Sequence, residues 1–533
     1  METFLKQIEK IHTLYFATFL FLLTFFVYGN TLFNGLFFDD QDFIYDNTYV
    51  KTFAIDKFFT ENAIAGAGKI SNYYRPLQET TYAVEYALFK DMSFIYHFDN
   101  IFLHAIAGIL LFIFIKNLTK NNFVALVTSL LFIIHPHQTE AVAYASGRND
   151  SMYVIFTLLT FLFYLKKERK FYLLSLFTYL LALLSKEAAL MVPGLIVLID
   201  YFKTQSIKKT LLGYKQFIFY FVIAGLYFLL RLTVLNFQDT LNFYGTGTIY
   251  TTNVFVRILT FLSLLPTYMH IIFYPDVLYI DRLATIVTDP INMNVLMSIV
   301  GIGILLFFCI KSFRKYPIFL FCFSWFFITI VPVSGIIPIN GLLYEHFLYF
   351  PSIGIFLAIA YLLFLLIGKT KSVAVLSIIY LCLCCLFLIL ITRTMIRNTE
   401  WYDAITFYNQ TISHNPTSAR LHNNLAMALA DKGNNTKAIV EYKKAIYLSD
   451  LYPQTHYNLA NTYITVNDYK NAEKEYVLSL EMDPTFYRSY LHLADLFKTT
   501  NQPDKLSNLI KKLEMLTQKY PNFREILKII KQT

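Results

Sequence analysis

Charge is what this 533-residue chain has least of. Asp, Glu, Lys and Arg together make up 15% of it, against about a quarter in soluble domains. With 56% hydrophobic residues, such a chain cannot clothe itself in water-compatible surface. That excludes a soluble globular protein and identifies an integral membrane protein. Cysteine is also scarce: Cys309, Cys322, Cys382, Cys384 and Cys385 all lie inside apolar runs. Their placement speaks against a disulfide framework and against a cysteine metal site in a loop. The net charge of +9 is modest, and the lysines form short clusters between apolar runs. Clusters of that kind orient a membrane protein and touch headgroups, and give no case for nucleic-acid binding. No small-residue cleavage site follows the first apolar run, which therefore reads as an uncleaved span.

Runs long enough to cross a bilayer occur near 13–29, 94–115, 122–134, 151–165, 171–184, 188–202, 217–234, 292–310, 317–333, 343–367 and 372–392. A further run, 254–274, is interrupted by Pro266 and carries Arg257 and His270. The basic clusters are Lys116/Lys120, Lys166 to Lys170, Lys203 to Lys215, Lys311 to Lys315 and Lys369/Lys371. They all fall on the cytoplasmic side only if run 254–274 lies in the interface or re-enters. The expectation is an all-α chain in two domains. A polytopic membrane domain of about eleven spans occupies 1–396, with its first outer loop at 30–93. An odd span count puts the remainder, 397–533, on the outer side.

That remainder is polar and periodic. Asn424-Leu425-Ala426 recurs as Asn458-Leu459-Ala460 and then as His492-Leu493-Ala494, and Ala438 and Tyr442 recur as Ala472 and Tyr476. A 34-residue period with small residues at helix crossings is the tetratricopeptide pattern. About three repeats are expected, preceded by a half-repeat at 401–416. They form an α-solenoid able to receive an acceptor protein or other partner.

The membrane body keeps its polar residues at the outer ends of the runs. In chain order they are Phe38-Asp39-Asp40, Tyr74-Arg75-Pro76-Leu77, Asn100 with His104, His135-Pro136-His137-Gln138-Thr139-Glu140, Gly147-Arg148 and Ser185-Lys186-Glu187. Tyr274-Pro275 with Asp281, Val331-Pro332-Val333-Ser334, and Glu345-His346 through Ser352 follow. In this order and number the motifs resemble the transmembrane and tetratricopeptide-repeat O-mannosyltransferases and their bacterial relatives, of the GT-C class. The resemblance covers the repeats as well. One departure stands out, since the family usually has Glu-Arg where this chain has Glu345-His346. A phosphate grip there would be weaker or pH-dependent.

The resemblance implies transfer of a sugar, mannose in the family, from a polyprenyl-phosphate donor to Ser or Thr hydroxyls of proteins on the non-cytoplasmic side. That reaction needs a carboxylate base near the anomeric carbon, cations for the departing phosphate and a groove for the lipid. Asp39 and Asp40 are the candidate bases, undivided by sequence. Arg148, Lys186, Arg75 and His346 are the candidates for the donor phosphate. Glu140, Glu187, His135, His137 and Glu345 are possible supporting residues. Asp39 and Asp40 together with Glu140 or Glu187 would make a Mg²⁺ or Mn²⁺ site. The alternative for the His135-Pro136-His137 turn is bonding to backbone carbonyls, and for His97 and His104 it is hydrogen bonding between helices. The tyrosines 73, 74, 82 and 86 fit an interfacial belt. A bacterial inner membrane or an endoplasmic reticulum is the expected setting. Two other classes stay open: an envelope oligosaccharide polymerase or ligase, and a non-catalytic scaffold in which the spans only anchor the repeats.

Overall fold

The computed structural model describes residues 12–237, 248–282, 284–337, 339, 341–521 and 523–532. Among them all regular structure is helical. The chain divides into two compact units, the first ending at Asp403 and the second beginning at Ala404. This boundary lies seven residues beyond the expected one at 396/397. The last apolar helix, Val373–Thr399, runs past its apolar stretch, and Trp401 is wholly buried among first-unit residues.

Among the described residues six helices are long and apolar enough to cross a membrane: Thr13–Thr31, Ser93–Thr119, Val254–Phe273, Met293–Ser312, Ser352–Lys369 and Val373–Thr399. Asn122–Ile134, Ile218–Leu232 and Pro317–Val333 are shorter and apolar. Val254–Phe273 was expected not to cross, yet its length permits it. Pro266 lies inside this helix without ending it. An irregular segment runs beside it: Tyr250 donates to the Gly335 carbonyl (3.2 Å), Arg257 to Ile336 (2.7 Å) and Tyr268 to Leu342 (3.4 Å). Irregular backbone at membrane depth is tolerated only where protein covers it.

Two breaks shape the functional end of the first unit. Helix Asn122–Ile134 stops because His135 precedes a proline, which forces it into extended geometry. The chain then makes short turns through Pro136–Gln138, Thr139–Ala143 and Ala145–Gly147 before helix Arg148–Tyr164 begins. Similarly, residues 343–367 do not form one span. Glu345–Leu348 is a tight 3₁₀ turn, and the helix starts only at Ser352, after Pro351. These breaks let polar side chains turn inward, and His135, His137, Gln138, Thr139, Glu140 and Glu345 are all buried.

The second unit holds three helix pairs, Ala419–Asp431 with Asn435–Leu448, Pro453–Thr465 with Tyr469–Met482, and Tyr487–Thr499 with Pro503–Lys519. Helix Ala404–His414 precedes them and Phe523–Gln532 follows. The periodic alanines Ala426, Ala460, Ala494, Ala438 and Ala472 are at most 1% exposed. A larger side chain at such a crossing would hold the paired helices apart.

Candidate active site

The two neighbouring aspartates have opposite environments. Asp40 is 1% exposed, and its carboxylate accepts from the Ser146 amide (2.8 Å), the Ser146 hydroxyl (2.5 Å) and the Phe37 amide (3.2 Å). Burial pushes its pKa up to about 7, and the three donors restrain the shift. It fastens the first loop to the break before helix Arg148–Tyr164. Asp39 faces the other way and is exposed. Phe38, before it, sits at φ +61°, a left-handed conformation that a bulky residue rarely adopts. That backbone reversal turns Asp39 out of the packed loop. Its amide donates to the Tyr144 hydroxyl at 3.1 Å.

Of the basic residues singled out by the motifs, Arg75 shares a neighbour with Asp39, the Tyr73 ring. Arg75 lies over the Tyr73 ring at 4.4 Å and reaches Glu187 at 3.6 Å. Partial burial disfavours charge on Glu187, but Arg75 holds its carboxyl below the ordinary range. Tyr73 lies in the electrostatic field of Arg75, Asp39, Tyr344 and Glu187. The adjacent Lys186 is buried and pairs with Asp150 at 2.6 Å. Lys186, Asp150 and His346 line one narrow crevice of about 10 Å³, with Tyr153, Phe347 and Phe350 as its apolar wall. It joins a cation and a histidine to an apolar surface.

His346 is fixed by Glu140, whose carboxylate accepts from the His346 amide at 3.1 Å and meets the ring Nδ1 at 2.7 Å. Burial opposes charge on Glu140, yet His346 and Arg397 hold its carboxyl below the usual range. Glu345 is fully buried between Arg282 and Arg397, each at 3.3 Å. Arg397 also pairs with Glu400. Arg282, Arg397 and Glu400 went unnoticed in the sequence, because one arginine follows a loop aspartate and the others end an apolar run with no motif around them.

Arg148 departs from expectation. It has no exposed surface, and its guanidinium is used in full. It bonds Glu85 at 2.5 Å, Asn100 at 2.8 Å, Thr81 at 2.9 Å and the Tyr96 carbonyl at 3.0 Å. A phosphate would have to displace these partners, so the geometry makes Arg148 a strut between the first loop and two helices. Beside it, burial raises Glu85 to about 8, with Arg148 working against that rise.

His135 meets the Ile272 carbonyl at 2.8 Å and its Nδ1 lies 2.6 Å from that of His137. Burial lowers His135 to about 4, so the ring is neutral. His104 contacts the Tyr349 hydroxyl at 2.7 Å, in the turn before helix Ser352–Lys369, and the Ile133 carbonyl of a neighbouring helix at 3.4 Å. Three of the four carboxylates considered for Mg²⁺ or Mn²⁺ are engaged by other partners: Asp40 by Ser146, Glu140 by His346 and Glu187 by Arg75. Among the described residues no three His, Cys, Asp or Glu side chains converge as a metal-ligand set.

Residues 11–202 match the family model described as dolichyl-phosphate-mannose-protein mannosyltransferase. Residues 427–466 and 453–486 match tetratricopeptide-repeat models. Among curated proteins the chain is similar to the protein O-mannosyl-transferase TMTC3 of Homo sapiens, 26% identical over 507 residues, covering 86% of this chain and 54% of that protein. The Tmtc3 protein of Drosophila melanogaster is 24% identical over 533 residues, covering 86% of this chain and 58% of that protein. TMTC1 of Homo sapiens is 33% identical over 200 residues, 34% of this chain and 23% of that protein. The chain thus spans about half the length of the first two relatives. A solved structure, ArnT from Cupriavidus metallidurans bound to undecaprenyl phosphate, aligns at 12% identity with a TM-score of 0.43, covering 86% of this chain and 79% of that one. A segment similar to that mannosyltransferase family is thus followed by segments similar to tetratricopeptide repeats, and the curated proteins that the chain resembles are TMTC proteins.

Proposed function

We propose that this chain is a membrane glycosyltransferase that transfers mannose from a polyprenyl-phosphate donor to Ser or Thr hydroxyls of proteins on the non-cytoplasmic side. Two observations support the reading: an exposed carboxylate, Asp39, that shares the neighbourhood of Tyr73 with Arg75, and a crevice in which Lys186 and His346 meet an apolar wall. Its relatives, named protein O-mannosyl-transferases, supply the reaction class.

In this reading Asp39 takes the proton of the acceptor hydroxyl as that oxygen attacks the anomeric carbon. The bond from that carbon to the phosphate oxygen breaks, and the electron pair leaves with the lipid phosphate. A carboxylate close to the reacting carbon also stabilises the positive charge that develops there. Lys186, Arg75 and His346 meet the departing phosphate, while Asp150 and Glu187 hold the first two in place. Phe347 and Phe350 receive the first part of the lipid. Attack from the face opposite the phosphate inverts the anomeric centre. Asp40 and Arg148 hold the loop and take no part in proton transfer. The repeats bring the acceptor protein.

The test is transfer of radiolabelled mannose from polyprenyl-phosphate-mannose to protein, in membranes carrying the wild type, Asp39→Asn or Asp40→Asn. Loss of the base is expected to lower the rate about 10²–10⁴-fold. Asp40→Asn keeps an oxygen for Ser146 but turns an NH₂ towards the Phe37 amide, so it is expected to lower stability while the folded enzyme retains transfer. Full transfer by Asp39→Asn would overturn the reading.

A further inference from the structure

Tyr144 lies in the break before helix Arg148–Tyr164, and its backbone is tied down by Asn100, whose side-chain amide donates to the Tyr144 carbonyl at 2.9 Å. Its hydroxyl accepts from the Asp39 amide at 3.1 Å. The Asp39 carboxylate and Ser146 both lie close enough to act on the same hydroxyl. An oxygen that accepts from the backbone of a residue still has its own hydrogen to give to that residue's side chain. Tyr144 therefore holds Asp39 by its amide and keeps its own hydrogen available for the carboxylate.

The ring is held as firmly as the hydroxyl. Phe38, at its left-handed turn, meets the Tyr144 ring at 5.9 Å. The Trp401 ring stacks on Tyr144 at 5.4 Å and 30°. Trp401 also backs Phe37 at 6.2 Å. The segment bearing Trp401 is pinned to the first loop: the Gly35 amide donates to the Tyr402 carbonyl at 2.9 Å, and Asn398 donates to the Val27 carbonyl and the Asn30 side chain, each at 2.9 Å. Arg397 covers the Trp401 ring at 5.8 Å. An indole and a phenol in offset stacking leave the phenol little freedom to swing.

We propose that Tyr144, braced by Trp401, is the positioning residue that aims and tunes the Asp39 carboxylate. The inference rests on Asp39 being the base. Donation from Tyr144 stabilises the ionised carboxylate, so its removal shifts the pKa of Asp39 upward. A stack contributed by the segment just beyond the last apolar helix also explains why that segment belongs to the first unit.

The test is full-chain enzyme in membranes, with polyprenyl-phosphate-mannose as donor and a Ser- and Thr-bearing peptide as acceptor. Tyr144→Phe keeps the ring and removes only the hydroxyl. The expected result is a kcat lower by about 10- to 100-fold, since small misplacement of a catalytic group costs about that much. The donor KM stays unchanged, and the acid limb of the kcat profile moves to higher pH. Trp401→Leu is expected to lower kcat similarly, and to add little when combined with Tyr144→Phe, whereas Trp401→Phe keeps a stacking face and restores most of the rate. Wild-type kcat and pH profile in Tyr144→Phe, with Asp39→Asn inactive, would overturn the positioning role alone. Transfer by Asp39→Asn would overturn both readings together.

Discussion

Arg148 bonds Glu85, Asn100, Thr81 and the Tyr96 carbonyl from a site with no exposed surface, so its substitution reports on stability rather than on donor affinity. Lysine cannot reproduce a planar guanidinium that serves four partners, and Glu85 would be left poorly compensated. Breaking a buried pair costs about 3–5 kcal/mol. Arg148→Lys is expected to lower the thermal midpoint of the detergent-solubilised chain and its yield, while donor KM in the surviving enzyme is unchanged. A higher donor KM at an unchanged midpoint would restore Arg148 to the phosphate site. Lys186 differs in setting, because it pairs with Asp150 alone at the wall of a crevice. Both residues are basic ones beside a small or polar neighbour in the sequence, and only their partners separate a strut from a ligand.

The repeat helices carry a pattern that a single motif does not reveal. His422 meets Glu441 at 2.6 Å, and 34 residues later His456 meets Glu475 at 2.6 Å, each pair joining the first and second helices of a repeat. The other ring nitrogen of His456 faces Asp450 at 2.8 Å. Burial opposes charge on His456, but the two carboxylates prevail and raise its pKa. A raised histidine pKa means that folding favours the protonated ring. Its contribution is complete below the unfolded value of about 6.5 and is lost as pH rises through the folded value. Hydrogen exchange of the full chain, corrected for intrinsic rates, is expected to show residues 453–482 opening more readily at pH 8.5 than at pH 6. His456→Gln should remove that pH dependence, and an unchanged difference in this variant would rule out His456 as its source. The apolar helices show a different limit of element-level reading. Hydropathy marked 254–274 and 343–367 as single runs, but it does not register that Pro266 is absorbed within a helix while Pro351 and the Glu345 turn delay the start of another.

At the scale of the whole molecule, the basic clusters require an odd number of crossings if the repeats are to share a side with Asp39. Single cysteines placed at Phe33 and Tyr447, which are 75% and 90% exposed, provide the check in a chain whose own cysteines are replaced. Both are expected to react with a membrane-impermeant maleimide from the outer side, and a cysteine at Lys371 only after permeabilisation. Labelling at 447 that also needs permeabilisation would make the crossing number even, with Val254–Phe273 the first helix to reassign. The outer end gathers residues far apart in sequence. Asp40 reaches Ser146, Glu140 reaches His346, and Arg397 reaches Glu345.

Composition alone determined the membrane setting, since a chain with so few charges has no other stable solvent. Periodicity alone determined the repeats, because a 34-residue recurrence of small residues marks helix crossings wherever it occurs. The ordered polar motifs mark the candidate site for a similar reason: charged groups are costly within a bilayer and so collect at its edge. Tertiary structure decided everything that depends on partners. Asp39 and Asp40 are equivalent in sequence, and only the left-handed turn at Phe38 and the donors of Ser146 separate an exposed carboxylate from a buried tie. Tyr144 and Trp401 acquire meaning only when residues more than 250 positions apart stack beside one carboxylate. Residue type and spacing record the chemistry a side chain can perform, whereas burial and hydrogen bonding determine whether that chemistry is available.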